Sequence, residues 1–201
     1  MLPKKPVKAG FFVALIRKFL SVATDTVMMP AMTTILRLID ICLFRAGPED
    51  LPARSGLLQW SLFAYLLVGI GINLLDTNLT LSLSVSLADL IILVAFVWLI
   101  LRGYQHLPRL HQSLLAFTGC GVLLGLAVMP FLAMFYQYDE TEPMANVLLL
   151  VMMVMMLWSL MVSAHIFRRA LDCSAPVSVA WTVLYVIVSI IGSGLVMSGV
   201  A

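Results

Sequence analysis

The sequence predicts an all-α polytopic membrane protein: a transmembrane bundle of five spans, N-terminus cytoplasmic and C-terminus external, preceded by interfacial amphipathic helices. Three observations predict it. The 201 residues are 62% hydrophobic and 11% charged, with mean hydropathy +1.08, whereas a soluble domain is about half apolar and about a quarter charged. Five apolar runs approach or exceed the roughly 20 residues that cross a hydrocarbon core. The basic residues then alternate along the chain. Eight of the twelve Lys/Arg precede the first run; Arg102 and Arg109 follow the second, Arg168 and Arg169 the fourth, and the gaps after the first and third hold none. Loops rich in Lys and Arg stay in the cytoplasm, so this alternation places both even gaps and the N-terminus on that side.

Residues 1–54 form a cytoplasmic or interfacial arm ending in a Pro/Gly connector. Phe11–Leu20 is apolar apart from Arg17 and Lys18, and Met32–Phe44 is apolar apart from Thr33, Thr34, Arg37 and Asp40. Both stretches are too short and too charged to span, and both suit amphipathic helices lying in the interface, broken at Pro30. A competing reading makes Ser21–Phe44 a sixth span. It buries charge and moves a basic N-terminus outside, against the insertion cost of charged residues. Arg17 and Lys18 also interrupt the first apolar stretch, and no small-residue cleavage site follows, so a cleaved leader is not expected. In Arg45–Arg54, two prolines and a glycine predict a stiff turn. Glu49 and Asp50 lie close to Arg45 and Arg54 in sequence. Arg45, Glu49 and Asp50 therefore make a candidate docking segment, with a plain connector as the other reading.

The spans of the bundle, residues 55–201, are expected near Leu57–Leu75, Thr80–Leu101, Ser113–Tyr136, Asn146–Phe167 and Val177–Val200. Trp60, Tyr65, Trp98, Tyr104, Tyr136, Tyr138, Trp158 and Trp181 fall near the span ends, where Trp and Tyr favour the membrane interface. The loops between spans are too short to fold as a soluble catalytic domain. Any function must lie in the bundle, on the arm or in a partner.

Asp89 is the one acid deep inside a span, about 15 Å along the second helix from its outer end. Ser82, Ser86 and Asp89 stand at i, i+4 and i+7, on one helix face. An ionisable group inside a membrane is a functional candidate by default. Its uses include proton relay and cation binding; a protonated carboxyl tying helices together is the bland reading. Gln59, Asn73, Thr118 and Tyr185 are candidate hydrogen-bond partners. Gly121 and Gly125, and Ser189 and Ser193, have the four-residue spacing that lets helix backbones approach. His165 reads as a satisfied interfacial histidine. Met152, Met153, Met155, Met156 and Met161 read as apolar filler, and copper binding is disfavoured for want of Cys or His at their depth. Three scattered cysteines suggest neither a disulfide framework nor a zinc site.

No nucleophile elbow, phosphate loop or metalloprotease motif is present, and no cofactor or metal is expected. Nucleic-acid binding is not expected, for want of a basic stripe on a soluble fold. Over residues 55–201, this layout of five closely spaced spans after a cytoplasmic segment resembles the Yip family of small membrane proteins. Arg45-Ala-Gly-Pro-Glu-Asp-Leu-Pro52 also resembles a pre-membrane segment of small uncharacterised proteobacterial membrane proteins. The resemblance implies a bacterial inner-membrane protein with no assigned activity, and the Rab partners of eukaryotic Yip proteins do not carry over. The expected function is non-enzymatic: an assembly, scaffold or accessory subunit, with the lipid bilayer and another membrane protein, or a second copy, as partners. The alternative is a small proton- or cation-coupled transporter centred on Asp89.

Overall fold

Helix breakers and caps punctuate a chain that is otherwise apolar. In the computed structural model, residues 29–53, 55–138 and 143–200 are described. Among the described residues there are six α-helices: α1 (Met29–Cys42), α2 (Ser55–Asn73), α3 (Leu79–Gly103), α4 (Leu110–Phe135), α5 (Pro143–Leu171) and α6 (Ala175–Val200). No strand occurs among the described residues. The last five helices are long and apolar enough to cross a membrane, which makes this an integral membrane protein. Their bounds lie within a few residues of the expected spans. The expected helix at Phe11–Leu20, Arg54 of the connector and the acidic loop at 139–142 lie outside the described residues.

Local chemistry explains the ends. Asn78 caps α3, its side-chain oxygen accepting from Leu81 N at 2.9 Å, so one otherwise orphaned amide is satisfied. Three helices, α1, α3 and α5, finish alike at the end of the bundle rich in arginine. Phe44, Gln105 and Asp172 adopt φ of 62°, 60° and 50°. The next amides, of Arg45, His106 and Cys173, then reach back to the carbonyls of Asp40, Leu101 and Arg168. This is the bonding of a Schellman cap, which normally uses glycine. A left-handed residue with a Cβ costs about 1–2 kcal/mol. Gln105→Gly is therefore expected to stabilise the protein by on the order of 1 kcal/mol, measured as a raised unfolding midpoint in detergent. Cys173 follows the last of these caps, and burial is the chief cause holding its thiol above the ordinary range, against the lowering effect of Arg168.

The chain divides into two units, Met1–Leu36 and Arg37–Ala201. Of the first, residues 29–36 are described, and they are the opening turns of α1. In the second unit the five long helices close a ring that does not follow chain order: α2 packs on α4, α4 on α5, α5 on α6, α6 on α3, and α3 on α2. The packed core fills the arginine-rich half of this ring. Leu93, Val97 and Leu101 of α3 meet Leu115 and Phe117 of α4 and Val162, Ile166 and Phe167 of α5, all nearly or fully buried. Phe167 lies at its centre, 4.7 Å from the Phe117 ring and 6.0 Å from that of Phe96, with Tyr185 of α6 5.4 Å beyond Phe96.

Residues 32–44 were expected to lie along the interface. One face of the final turns of α1 packs against the long helices, while Ile39 and Leu43 of the other face stay exposed. Leu38, Ile41 and Cys42 are buried, and Leu38 sits where a Cβ on Gly119 would stand, 2.6 Å from that position. The Cys120 thiol donates to Leu38 O at 3.7 Å and Trp158 Nε1 to Cys42 O at 3.0 Å. The missing side chain at Gly119 supplies the space, and Trp158 satisfies a carbonyl that the helix end leaves open. Trp158, exposed on its outer side, thus ties α5 to the end of α1.

The connector is held in the same way. Pro48–Asp50 makes a single 3₁₀ turn closed by Asp50 Oδ2 accepting from Gly47 N at 3.0 Å. Gln112 Nε2 donates to Leu51 O at 2.8 Å, and His165 Nε2 lies 2.9 Å from Ala46 O with its ring edge-on to Phe44. Local pairing with Arg45 and Arg54 was expected of the two acids. Glu49 instead faces Arg169 at 3.4 Å and Asp50 faces Arg37 at 3.8 Å. Arg109 joins α4 to the α5–α6 turn through Asp172 at 2.6 Å. Arg45 is exposed.

Candidate functional site

Helix α3 carries Ser82, Ser86 and Asp89 on one face because 3.6 residues make a turn, and that face meets α2. Two rungs join the two helices, and a third ties the turn between them to α3. Thr77 Oγ1 and Ser82 Oγ lie 2.8 Å apart, Asn73 Nδ2 donates to Ser86 Oγ at 3.2 Å, and Tyr65 O–H donates to Asp89 Oδ2 at 2.7 Å. Ser82 and Ser86 are buried and Asp89 is half-buried. Close approach is possible beside the middle rung because Gly69 of α2 faces Ser86, whose Oγ would stand 3.3 Å from an added Cβ.

The polar seam forms one wall of a partly enclosed cavity of about 680 Å³ inside the ring, and all five long helices line it. Its floor is the aromatic core, at Leu93, Phe117 and Ile166. Its lining reaches Asn73, Val128 and Met197 toward the opposite end. Across from Asp89 the wall is α5, with Met152, Met155 and Met156 above Ser159 and Ser163. Tyr185 of α6 completes the surroundings of the carboxyl, within electrostatic range of both Asp89 and Tyr65. Asp89 is the one charged side chain among the described lining residues. Its Oδ1 has no hydrogen-bond partner among the described residues.

The partner of Asp89 is Tyr65, which the sequence placed among the interfacial aromatics. Of the four partners considered, Tyr185 stands beside the carboxyl and Asn73 serves Ser86. Thr118 pairs with Ser61 at 2.7 Å, and Gln59 is exposed on the outside of α2. The signal available in the sequence was spacing: Tyr65, Gly69 and Asn73 recur every four residues and make a stripe on α2 to match that on α3.

The small residues divide into two roles. Gly121 and Gly125 of α4 face α2, where an added Cβ would stand 2.6 Å from Tyr65 Cε2 and 2.7 Å from Val68 Cγ1 respectively. Ser193 of α6 lines the cavity, and half-buried Ser189 stands one turn from both it and Tyr185. Close packing of α6 falls to Gly192, where an added Cβ would collide with Ile92 of α3. The docking segment Arg45, Glu49 and Asp50 lies outside the cavity lining, with both acids ion-paired. Cys120 lines the same cavity as Met152, Met155 and Met156. Among the described residues no cluster of three His, Cys, Asp or Glu is placed to hold a metal ion.

No protein-family model matches this chain, and no curated protein or solved structure matches it.

Proposed function

We propose that this integral membrane protein is a small, non-enzymatic transporter whose cation, as cargo or as coupling ion, meets Asp89 inside the helix ring. The observation that supports this most is the placement of the one charged lining group on a cavity bordered by all five long helices. A carboxylate there attracts a cation into a region where charge is otherwise costly. Tyr65 holds it in position while leaving one oxygen open. The non-enzymatic reading is supported by the neighbours of Asp89, which are hydroxyls and an amide rather than a second carboxylate or a histidine. The alternation of arginines supports an arginine-rich end facing the cytoplasm, and the resemblance of the Arg45–Pro52 segment supports the inner membrane of a bacterium. The span order is compatible with a Yip-like layout, which we propose for topology alone.

An accessory subunit is the second reading, and the connector is its ground. Glu49 and Asp50 are engaged by Arg169 and Arg37 within the chain, which leaves Arg45 as the free cation of that segment among the described residues. The cavity is therefore the stronger ground.

Reconstituted vesicles test the transport reading. Proton, sodium and potassium fluxes are followed with entrapped indicator dyes under an imposed gradient. Wild-type protein is expected to carry flux of at least one ion, and Asp89→Asn to reduce it to that of empty vesicles. Wild-type vesicles no more permeable than empty ones to all three and to an organic cation, or full flux in Asp89→Asn, would overturn it.

A further inference from the structure

We propose that the central cavity takes an amphiphilic organic cation, its charge at Asp89 between Tyr65 and Tyr185 and its apolar body against the methionines of α5. This deepens the transport reading and rests on it for the role of Asp89.

Four features carry the inference. The first is size. At about 680 Å³ the cavity lies within the roughly 300–1,000 Å³ of sites for drug-sized ligands, far more than a bare metal ion fills. The second is charge. One carboxylate and no Lys, Arg or His line it among the described residues, so a single positive charge is matched and an anion is repelled.

The third is the nature of the opposite wall. A hard cation such as sodium or magnesium needs about six oxygen ligands around it. Here the hydroxyls of Tyr65 and Ser86 are engaged across the seam of α2 and α3, Ser159 and Ser163 donate to carbonyls of their own helix, and Met152, Met155 and the largely exposed Met156 line the wall beside them. A substituted ammonium or phosphonium carries its own apolar shell, and that shell matches thioether and aliphatic surface. Methionine is flexible and polarisable, which lets one wall fit substituents of several shapes.

The fourth is the pair of tyrosines. Tyr65 and Tyr185 flank Asp89, and ring faces attract organic cations as carboxylates do. Tyr65 occupies Oδ2 of the carboxyl, and the open Oδ1 is left to the ligand.

Tetraphenylphosphonium is the probe. Binding of the radiolabelled cation to the full chain in lipid nanodiscs is measured by equilibrium dialysis against empty nanodiscs, with neutral triphenylphosphine oxide as competitor. Saturable, stoichiometric binding is expected, unaffected by the neutral competitor. Asp89→Asn should weaken it roughly thirtyfold or more, as loss of one member of a buried charge pair does. Ser159→Phe, which fills the cavity from α5 and leaves Asp89 untouched, should weaken it comparably, so the test does not depend on one variant folding. Absence of saturable binding by the wild type overturns the proposal, as does binding that both folded variants retain or that triphenylphosphine oxide displaces. The two readings fail separately. Asp89-dependent proton or sodium flux without phosphonium binding overturns this proposal alone. Phosphonium binding with no flux of any tested cation, the phosphonium included, overturns the transport reading and leaves the binding site standing.

Discussion

Gly121→Leu is expected to force α2 away from α4 and to break the Tyr65–Asp89 bond with it. An added Cβ at this position stands 2.6 Å from Tyr65 Cε2 and 2.9 Å from Cδ2. A flexible side chain would swing aside. Tyr65 is not free to do so, because its hydroxyl is held at 2.7 Å on Asp89. The backbone must shift or the hydrogen bond must go, and overpacking of this kind costs about 1–3 kcal/mol, occasionally more. The neighbouring contacts raise the cost: Gly125 meets Val68 on the same seam, and helices in lipid associate through close packing rather than a hydrophobic drive. Unfolding by a denaturing detergent, followed by circular dichroism, checks the expectation. Gly194→Leu is the control, since nothing lies within 4 Å of an added Cβ there. It should stay within about 0.5 kcal/mol of wild type. Equal effects at the two positions would show that the α2–α4 seam does not depend on Gly121.

Phe167→Ala is expected to have the largest effect at the other end of the bundle. Its side chain is fully buried and touches aromatic rings from α3 and α4. In a soluble core the loss of a buried Phe costs about 3–5 kcal/mol, part transfer and part cavity. Separated membrane helices leave the ring in lipid, which is as apolar as the core, so most of the transfer contribution disappears. What remains is lost contact and the void. The expected cost is therefore near the low end, about 3 kcal/mol, with Phe167→Leu below about 1.5 kcal/mol because much of the volume is kept. The same unfolding assay measures both. A Phe167→Ala cost under that of Phe167→Leu would contradict the packing account. Because Phe96 links Phe167 to Tyr185, the alanine variant is also expected to loosen the floor of the cavity.

The five spans were visible in the chain because membrane insertion depends on local composition. A run of about 20 apolar residues satisfies its own backbone as a helix whatever its neighbours are, and flanking arginines mark its ends. The Ser82–Ser86–Asp89 stripe was visible for the same reason: helical periodicity alone aligns it. The order of helices around the ring was not. Each long helix is apolar on nearly all sides, so no amphipathic face announces which side turns inward. The contacts that settle it join residues far apart in the chain: Ser61 with Thr118, Gly121 with Tyr65, Gly192 with Ile92. The same holds for the site. Asp89 stands out by its charge, but its partner Tyr65 looks like any interfacial tyrosine until α2 is laid beside α3. The methionines of α5 look like filler until the ring closes around a space. The burial of the end of α1 depended on Gly119 offering a gap at the right height. Local chemistry thus sets which segments are helices and where they stop. Which polar groups meet inside the ring is decided by steric fit between helices, and that fit belongs to pairs of surfaces rather than to any one stretch of chain.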